Sequence, residues 1–202
     1  MTTALIFRSV TWPVDVDVET TESALAASAG DRHALERFIR ATQHDVWRFT
    51  AHLAGTGSAD DLTQETYLRV LRSLPGFEGR SSARIWLLSI ARRVVVDQFR
   101  KAGRRPRQVH GIDLTQLSDD RQLRGRAAAP GGFEEAVELD LLMAGLAPER
   151  REVLVLTQLL GLSYEETAQV CGCAIGTVRS RVARARDELI RAMDESHDTG
   201  TA

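Results

Sequence analysis

Residues 162–186, LSYEETAQVCGCAIGTVRSRVARAR, leave fewer conformations open than any other part of this chain. Ser163 is a good N-cap, and Glu166 three positions later completes the pattern of a capping box. Gly172 stands where the chain must turn sharply, a place where a residue without a Cβ is cheapest. Val178, Val182, Ala185 and Leu189 then recur at spacings of four, three and four, the buried stripe of a second helix. Ala168 is small enough for that second helix to cross close over the first. Two helices joined by a tight glycine turn make a helix-turn-helix. Away from its stripe the second helix carries Arg179, Ser180, Ala183, Arg184 and Arg186, with Thr177 near its start and Arg181 on the flank. Arginine reads guanine edges bidentately and holds phosphates, so this face suits a DNA groove. The plainer alternative is a solvated arginine-rich helix. Cap, turn and basic face together favour the reader of DNA.

The rest of the chain has to be compatible with that motif. It has 202 residues and a net charge of −2, so its basicity is local. Acidic residues crowd the amino-terminal segment and the region of Asp60 and Asp61, while arginines crowd residues 100–107 and 179–191. Such asymmetry predicts one surface for nucleic acid and another for a protein. The two cysteines, Cys171 and Cys173, are too few for a disulfide framework and lack the further Cys or His that zinc requires nearby. They read as small apolar residues at the corner of the motif. No apolar run approaches membrane-spanning length, and residues 1–8 do not form a signal peptide.

The period is helical almost throughout, which predicts an all-α protein of two helical domains. Leu35, Phe38, Ile39, Val46, Phe49 and Leu53 share one face of residues 31–54. After Gly55 a second helix is predicted, capped by Ser58, with Tyr67, Val70, Leu71 and Leu74 inward. A third begins near Ser82 with Ile85, Leu88, Ala91, Val95 and Phe99 inward. Periodicity fades over 104–132, a predicted flexible linker. Helices return from Phe133 to about Leu146 and from Pro148 to Leu160, ahead of the helix-turn-helix. The expected plan is a disordered tail over 1–21, a first domain over 22–103, the linker, a second domain over 133–195, and a short tail over 196–202.

Three segments taken together resemble one family. Residues 58–69 (SADDLTQETYLR), 82–100 (SARIWLLSIARRVVVDQFR) and 176–186 (GTVRSRVARAR) are similar, in that order, to motifs of the extracytoplasmic-function sigma factors. The resemblance implies that the first segment grips the clamp coiled coil of core RNA polymerase through Asp60, Asp61, Leu62, Gln64 and Glu65. It implies that the second melts the minus-ten promoter element. There the loop 77–81, with Phe77, Arg80 and Ser81, would take up a flipped base, alongside Arg84, Trp86, Arg92 and Arg93. Arg93 departs from the asparagine common at that position in the family. The third segment would read the minus-thirty-five element through Thr177, Arg179, Ser180, Arg181, Ala183, Arg184 and Arg186. The implied partners are core polymerase, at its clamp and flap, promoter DNA and an anti-sigma factor, in the cytoplasm. No cofactor or metal is implied.

Two other classes compete. A repressor or activator with this motif would bind paired half-sites alone, usually as a dimer, but the chain shows no recognisable dimer seam. An enzyme would need a phosphate loop, a metal cluster or a nucleophile–base pair, and none is evident. The five histidines, His33, His44, His52, His110 and His197, are scattered and read as surface residues.

Overall fold

The computed structural model describes residues 14–101, 103 and 142–199. The predicted linker and most of the helix predicted from Phe133 lie outside these residues. All described elements are helical: α1 (Val14–Ser28), α2 (Arg32–Ala54), α3 (Thr56–Ser73), α4 (Ala83–Lys101), α5 (Pro148–Leu154), α6 (Tyr164–Cys171) and α7 (Ile175–Thr199). A single 3₁₀ turn, Leu74–Gly76, closes α3, and α5 runs on into a π turn over Val155–Leu159.

Local chemistry explains most of the boundaries. Asp31 caps α2 by accepting from the Ala34 N–H at 3.0 Å, and that bond holds its carboxyl below the usual carboxylate range. Pro148 starts α5, where its missing N–H costs nothing. Phe38, Val46 and Phe49, all on the predicted face of α2, are fully buried. Each contributes about 1.5–3 kcal/mol of apolar burial.

α3 differs from expectation at two points. It begins at Thr56 with Gly55 at the cap, so Ser58 sits inside the first turn and makes no side-chain cap. Its buried line runs through Ala59, Leu62, Thr66 and Val70, with Leu74 just beyond. Leu71 falls off that line and is 44% exposed. Tyr67 is drawn to the core's edge by a 2.8 Å hydrogen bond between its hydroxyl and that of Thr42.

α4 is the centre of the molecule. Its predicted stripe is buried as far as Val95, with Phe99 only partly buried, and Leu87, Ile90 and Val94 are buried on a second side. α4 packs on α1, α2 and α3 and is also covered by α6. The two helical units therefore lie against each other across α4.

At the amino terminus, residues 14–21 were expected to be part of a tail. They instead form the first half of α1, whose Thr20, Ala24 and Ala27 are buried against α2 and α4. The alternation of Val14, Val16 and Val18 with aspartates hid this helix, because it mimics a strand. At the other end, α7 carries residues 196–199, expected as tail, as continuous helix.

Candidate nucleic-acid and partner-binding surfaces

The helix-turn-helix forms as its residue pattern requires. The Ser163 hydroxyl accepts from the Glu166 N–H at 3.2 Å, and the Glu166 carboxylate accepts from the Ser163 N–H at 2.7 Å. Gly172 ends α6 in the left-handed region, φ 63°, which a side chain would strain. The Cys173 N–H returns to the Ala168 carbonyl at 3.1 Å and fixes the turn. Cys171 is buried there, and burial pushes its thiol up to about 12, so it stays protonated and unreactive. Val178, Val182, Ala185 and Leu189 are buried, which turns Arg179, Ser180, Ala183 and Arg184 outward, where they are exposed. Thr177, Arg181 and Arg186 are half-buried along the edges of that face. Arg150 of α5 pairs with Glu188 and braces α7 from behind.

On α3, Asp60, Asp61 and Gln64 are exposed and Glu65 is half-buried. Leu62 is only 5% exposed and serves the core. Asp60 is oriented by the Trp47 indole N–H, which donates to its Oδ1 at 2.8 Å. Arg69 donates to Glu65 at 2.8 Å and to Asp97 of α4 at 2.7 Å. The guanidinium holds both carboxyls below their usual range. Leu68 and Leu71, each 44% exposed, follow Asp61 and Gln64 at helical spacing on the same side. The surface is thus an acidic patch running into an apolar one. Leu68 was missed at the level of sequence, although its position four residues after Gln64 was a usable signal.

The structure separates the residues expected to engage melted DNA. Phe77 is buried against Trp86, ring centroids 4.8 Å apart. A cleft of about 320 Å³ opens beside them, lined by Ser73, Ser81, Trp86, Ser89, Arg93 and, from the second unit, Gln169. Arg93 is exposed at this cleft, and Arg80 is exposed and paired with Glu78. Two arginines lie elsewhere. Arg84 is 6% exposed. It donates to Asp45 of α2 at 3.2 and 3.3 Å and to the Leu160 carbonyl beyond α5. Expected on a DNA face, it is a buried link instead, because its place on α4 points between the two units. Arg92 donates to Glu152 of α5 at 2.7 and 3.3 Å, so its guanidinium is engaged by the second unit.

Among the described residues there is no cluster of His, Cys, Asp and Glu fit for a metal ion, and no helix long and apolar enough to cross a membrane.

Comparison with known proteins gives these surfaces a common context. Residues 38–105 match the family model for sigma-70 region 2, and residues 136–189 match the model for sigma-70 region 4. The chain is 52% identical over 185 residues to the ECF RNA polymerase sigma factor SigC of Mycobacterium tuberculosis, covering 91% of this chain and 96% of the relative. Among solved structures, the sigma factor RpoE of Bartonella quintana, crystallised with the anti-sigma factor NepR, superposes with a TM-score of 0.62 at 26% identity, covering 79% of this chain and 96% of that one. The protein CnrH, solved with the cytosolic domain of CnrY, shares the fold with a TM-score of 0.66 at 22% identity, covering 88% and 98% of the two chains. This chain belongs to the sigma-70 family of RNA polymerase sigma factors, in its extracytoplasmic-function group, and is an alternative sigma factor directing promoter recognition and transcription initiation.

Proposed function

We propose that the three surfaces divide the work of initiation. The exposed face of α7, with Arg179, Ser180, Ala183 and Arg184 central and Thr177, Arg181 and Arg186 flanking, reads the minus-thirty-five element in the major groove. The face of α3 formed by Asp60, Asp61, Gln64 and Glu65, extended by Leu68 and Leu71, docks on the clamp coiled coil of core polymerase. The loop 77–81 and the cleft beside Trp86 and Arg93 receive a base of the melted minus-ten strand. The second unit also meets the polymerase flap. The protein acts in the cytoplasm without catalysing a reaction itself. An anti-sigma factor restrains it, as the complex of its Bartonella relative suggests.

The observation carrying this reading is that the outward face of α7 holds arginine and serine with its whole apolar stripe buried. A partner helix rich in arginine would meet Asp61 at a point where an apolar patch also offers contact area. In the packed arrangement Glu152 occupies Arg92, and Gln169 lines the cleft. The second unit must move off α4 before both are available to DNA.

Run-off transcription with purified core polymerase tests the reading. Initiation at a defined set of promoter fragments, lost when Asp61 and Glu65 are both changed to lysine in a protein that still folds, is the expected result. Specific DNA binding without any stimulation of polymerase would overturn it.

A further inference from the structure

We propose that α1 is the positioning element of the strand-capture loop and that Thr21 and Leu25 are its working residues. This rests on the reading of the loop given above. α1 lies outside both matched regions, the first of which begins at residue 38. It nevertheless packs on α4 and on the 3₁₀ turn that leads into the loop.

The contacts are concentrated at the loop's exit. The Ala83 N–H opens α4 and has no partner within its own helix. It donates to the Thr21 hydroxyl oxygen at 3.0 Å, across 62 residues of sequence. The same hydroxyl donates to the Asp17 carbonyl at 2.8 Å, so its orientation is fixed from both sides. The closer-lying Ser82 hydroxyl accepts from the Ile85 N–H at 3.4 Å and lies beside the Asp17 carboxyl of α1.

Leu25 supplies the second constraint. Gly79, at the middle of the loop, has φ +70°, and a Cβ there would lie 3.3 and 3.4 Å from the two methyl carbons of Leu25. Leu25 thus lies directly over the glycine while remaining 39% exposed. Phe77 is anchored on Trp86 at the loop's entrance. Between the two anchors the loop leaves Arg80 exposed and presents Ser81 to the cleft. A base-capturing loop has to be held in its binding shape beforehand, or ordering it lowers the affinity for the strand. α1 holds the exit end of this loop.

The test uses the full chain assembled with core polymerase. The probe is a single-stranded oligonucleotide carrying the non-template minus-ten sequence of a promoter that the holoenzyme transcribes. Thr21→Val removes the acceptor with little change of shape, Thr21→Ser keeps it, and Leu25→Ala uncovers Gly79. Arg80→Ala with Ser81→Ala reports on the loop itself. Thr21→Val should weaken oligonucleotide binding about fivefold, the effect of one lost hydrogen bond, and Leu25→Ala by about as much through its lost apolar contact. Thr21→Ser should restore it, and affinity for core polymerase should stay within about twofold throughout.

Unchanged strand binding in Thr21→Val and Leu25→Ala, with a loss in the loop variant, overturns the role of α1 and leaves the loop's role standing. No loss in the loop variant removes both. Equal losses of strand and polymerase affinity would mean general destabilisation and also refute the proposal. Should Thr21→Val melt below the assay temperature, the half-exposed Leu25 position carries the test.

Discussion

Replacing Arg84 with methionine is the sharpest test of how α4 is used. Arg84 is 6% exposed and Asp45 is 5% exposed. Two guanidinium N–H groups reach one carboxylate oxygen of Asp45, and a further bond goes to the Leu160 carbonyl. Methionine fills much of the volume but leaves the Asp45 carboxylate buried without its cation. Breaking one side of a buried pair costs about 3–5 kcal/mol, a large share of the roughly 5–15 kcal/mol that holds a domain folded. With a slope of about 2 kcal/mol per molar, the urea midpoint of Arg84→Met should fall by about 2 M. The pair Arg84→Met with Asp45→Leu should recover most of the loss, since apolar replacement of a buried ion pair is often neutral. The assay is equilibrium urea unfolding followed by circular dichroism, with the slope checked for constancy. An Arg84→Met protein of unchanged midpoint that has lost binding to melted promoter strand would refute the reasoning and return Arg84 to the DNA face.

Glu152→Gln removes the charge that holds Arg92, in a pair where Glu152 is 9% and Arg92 29% exposed. The two units should separate more readily, by about 1–2 kcal/mol, seen as a rise in radius of gyration by small-angle scattering. Burial, with Arg48 and Arg151 nearby, pushes His52 down to about 3. Its folded value lies below its unfolded one, so stability is complete above about pH 6.5 and declines as pH falls from there toward 3. The residue as a whole is half-buried, and the loss by pH 5 should be about 1–2 kcal/mol. His52→Gln should flatten that part of the melting-temperature profile. Arg179→Ala should cost about 1–3 kcal/mol on a promoter's minus-thirty-five element and change which sequences bind best. Equal weakening on every duplex, measured by fluorescence anisotropy, would make Arg179 a phosphate contact.

What the sequence made legible was local. The capping box of Ser163 and Glu166, the turn at Gly172 and the stripe from Val178 to Leu189 each depend on residues a few positions apart. Their geometry follows from chirality and helical period alone. α1 was lost because alternating valine and aspartate carries a strand's period, while its helical state is secured by packing on α2. Leu71 was misplaced for a related reason. A stripe through Tyr67, Val70 and Leu74 admits Leu71 by spacing, and only the direction of the core excludes it.

That Arg84 and Arg92 of α4 are engaged by carboxylates escaped the sequence for a deeper cause. A guanidinium makes the same demand of a carboxylate as of a phosphate: a pair of anionic oxygens in the plane of its N–H groups. Arg84 and Arg92 therefore look in sequence like a phosphate track, whatever anion faces them. In the folded chain those anions are Asp45 and Glu152, separated from their arginines by 39 and 60 residues. No local pattern encodes such distances. The two pairs nonetheless differ in what DNA can do to them. Asp45 belongs to α2, in the same unit as Arg84, and the pair is sealed from solvent. Parting the units releases the N–H that Arg84 gives to the Leu160 carbonyl but leaves its bonds to Asp45 in place. Glu152 belongs to the second unit and Arg92 is partly exposed, so a phosphate competes with Glu152 for Arg92 as soon as the units part. Salt should therefore loosen the Arg92 contact by screening while leaving the Arg84 pair nearly unaffected. Hydrogen exchange across α5 in low and high salt would separate the two.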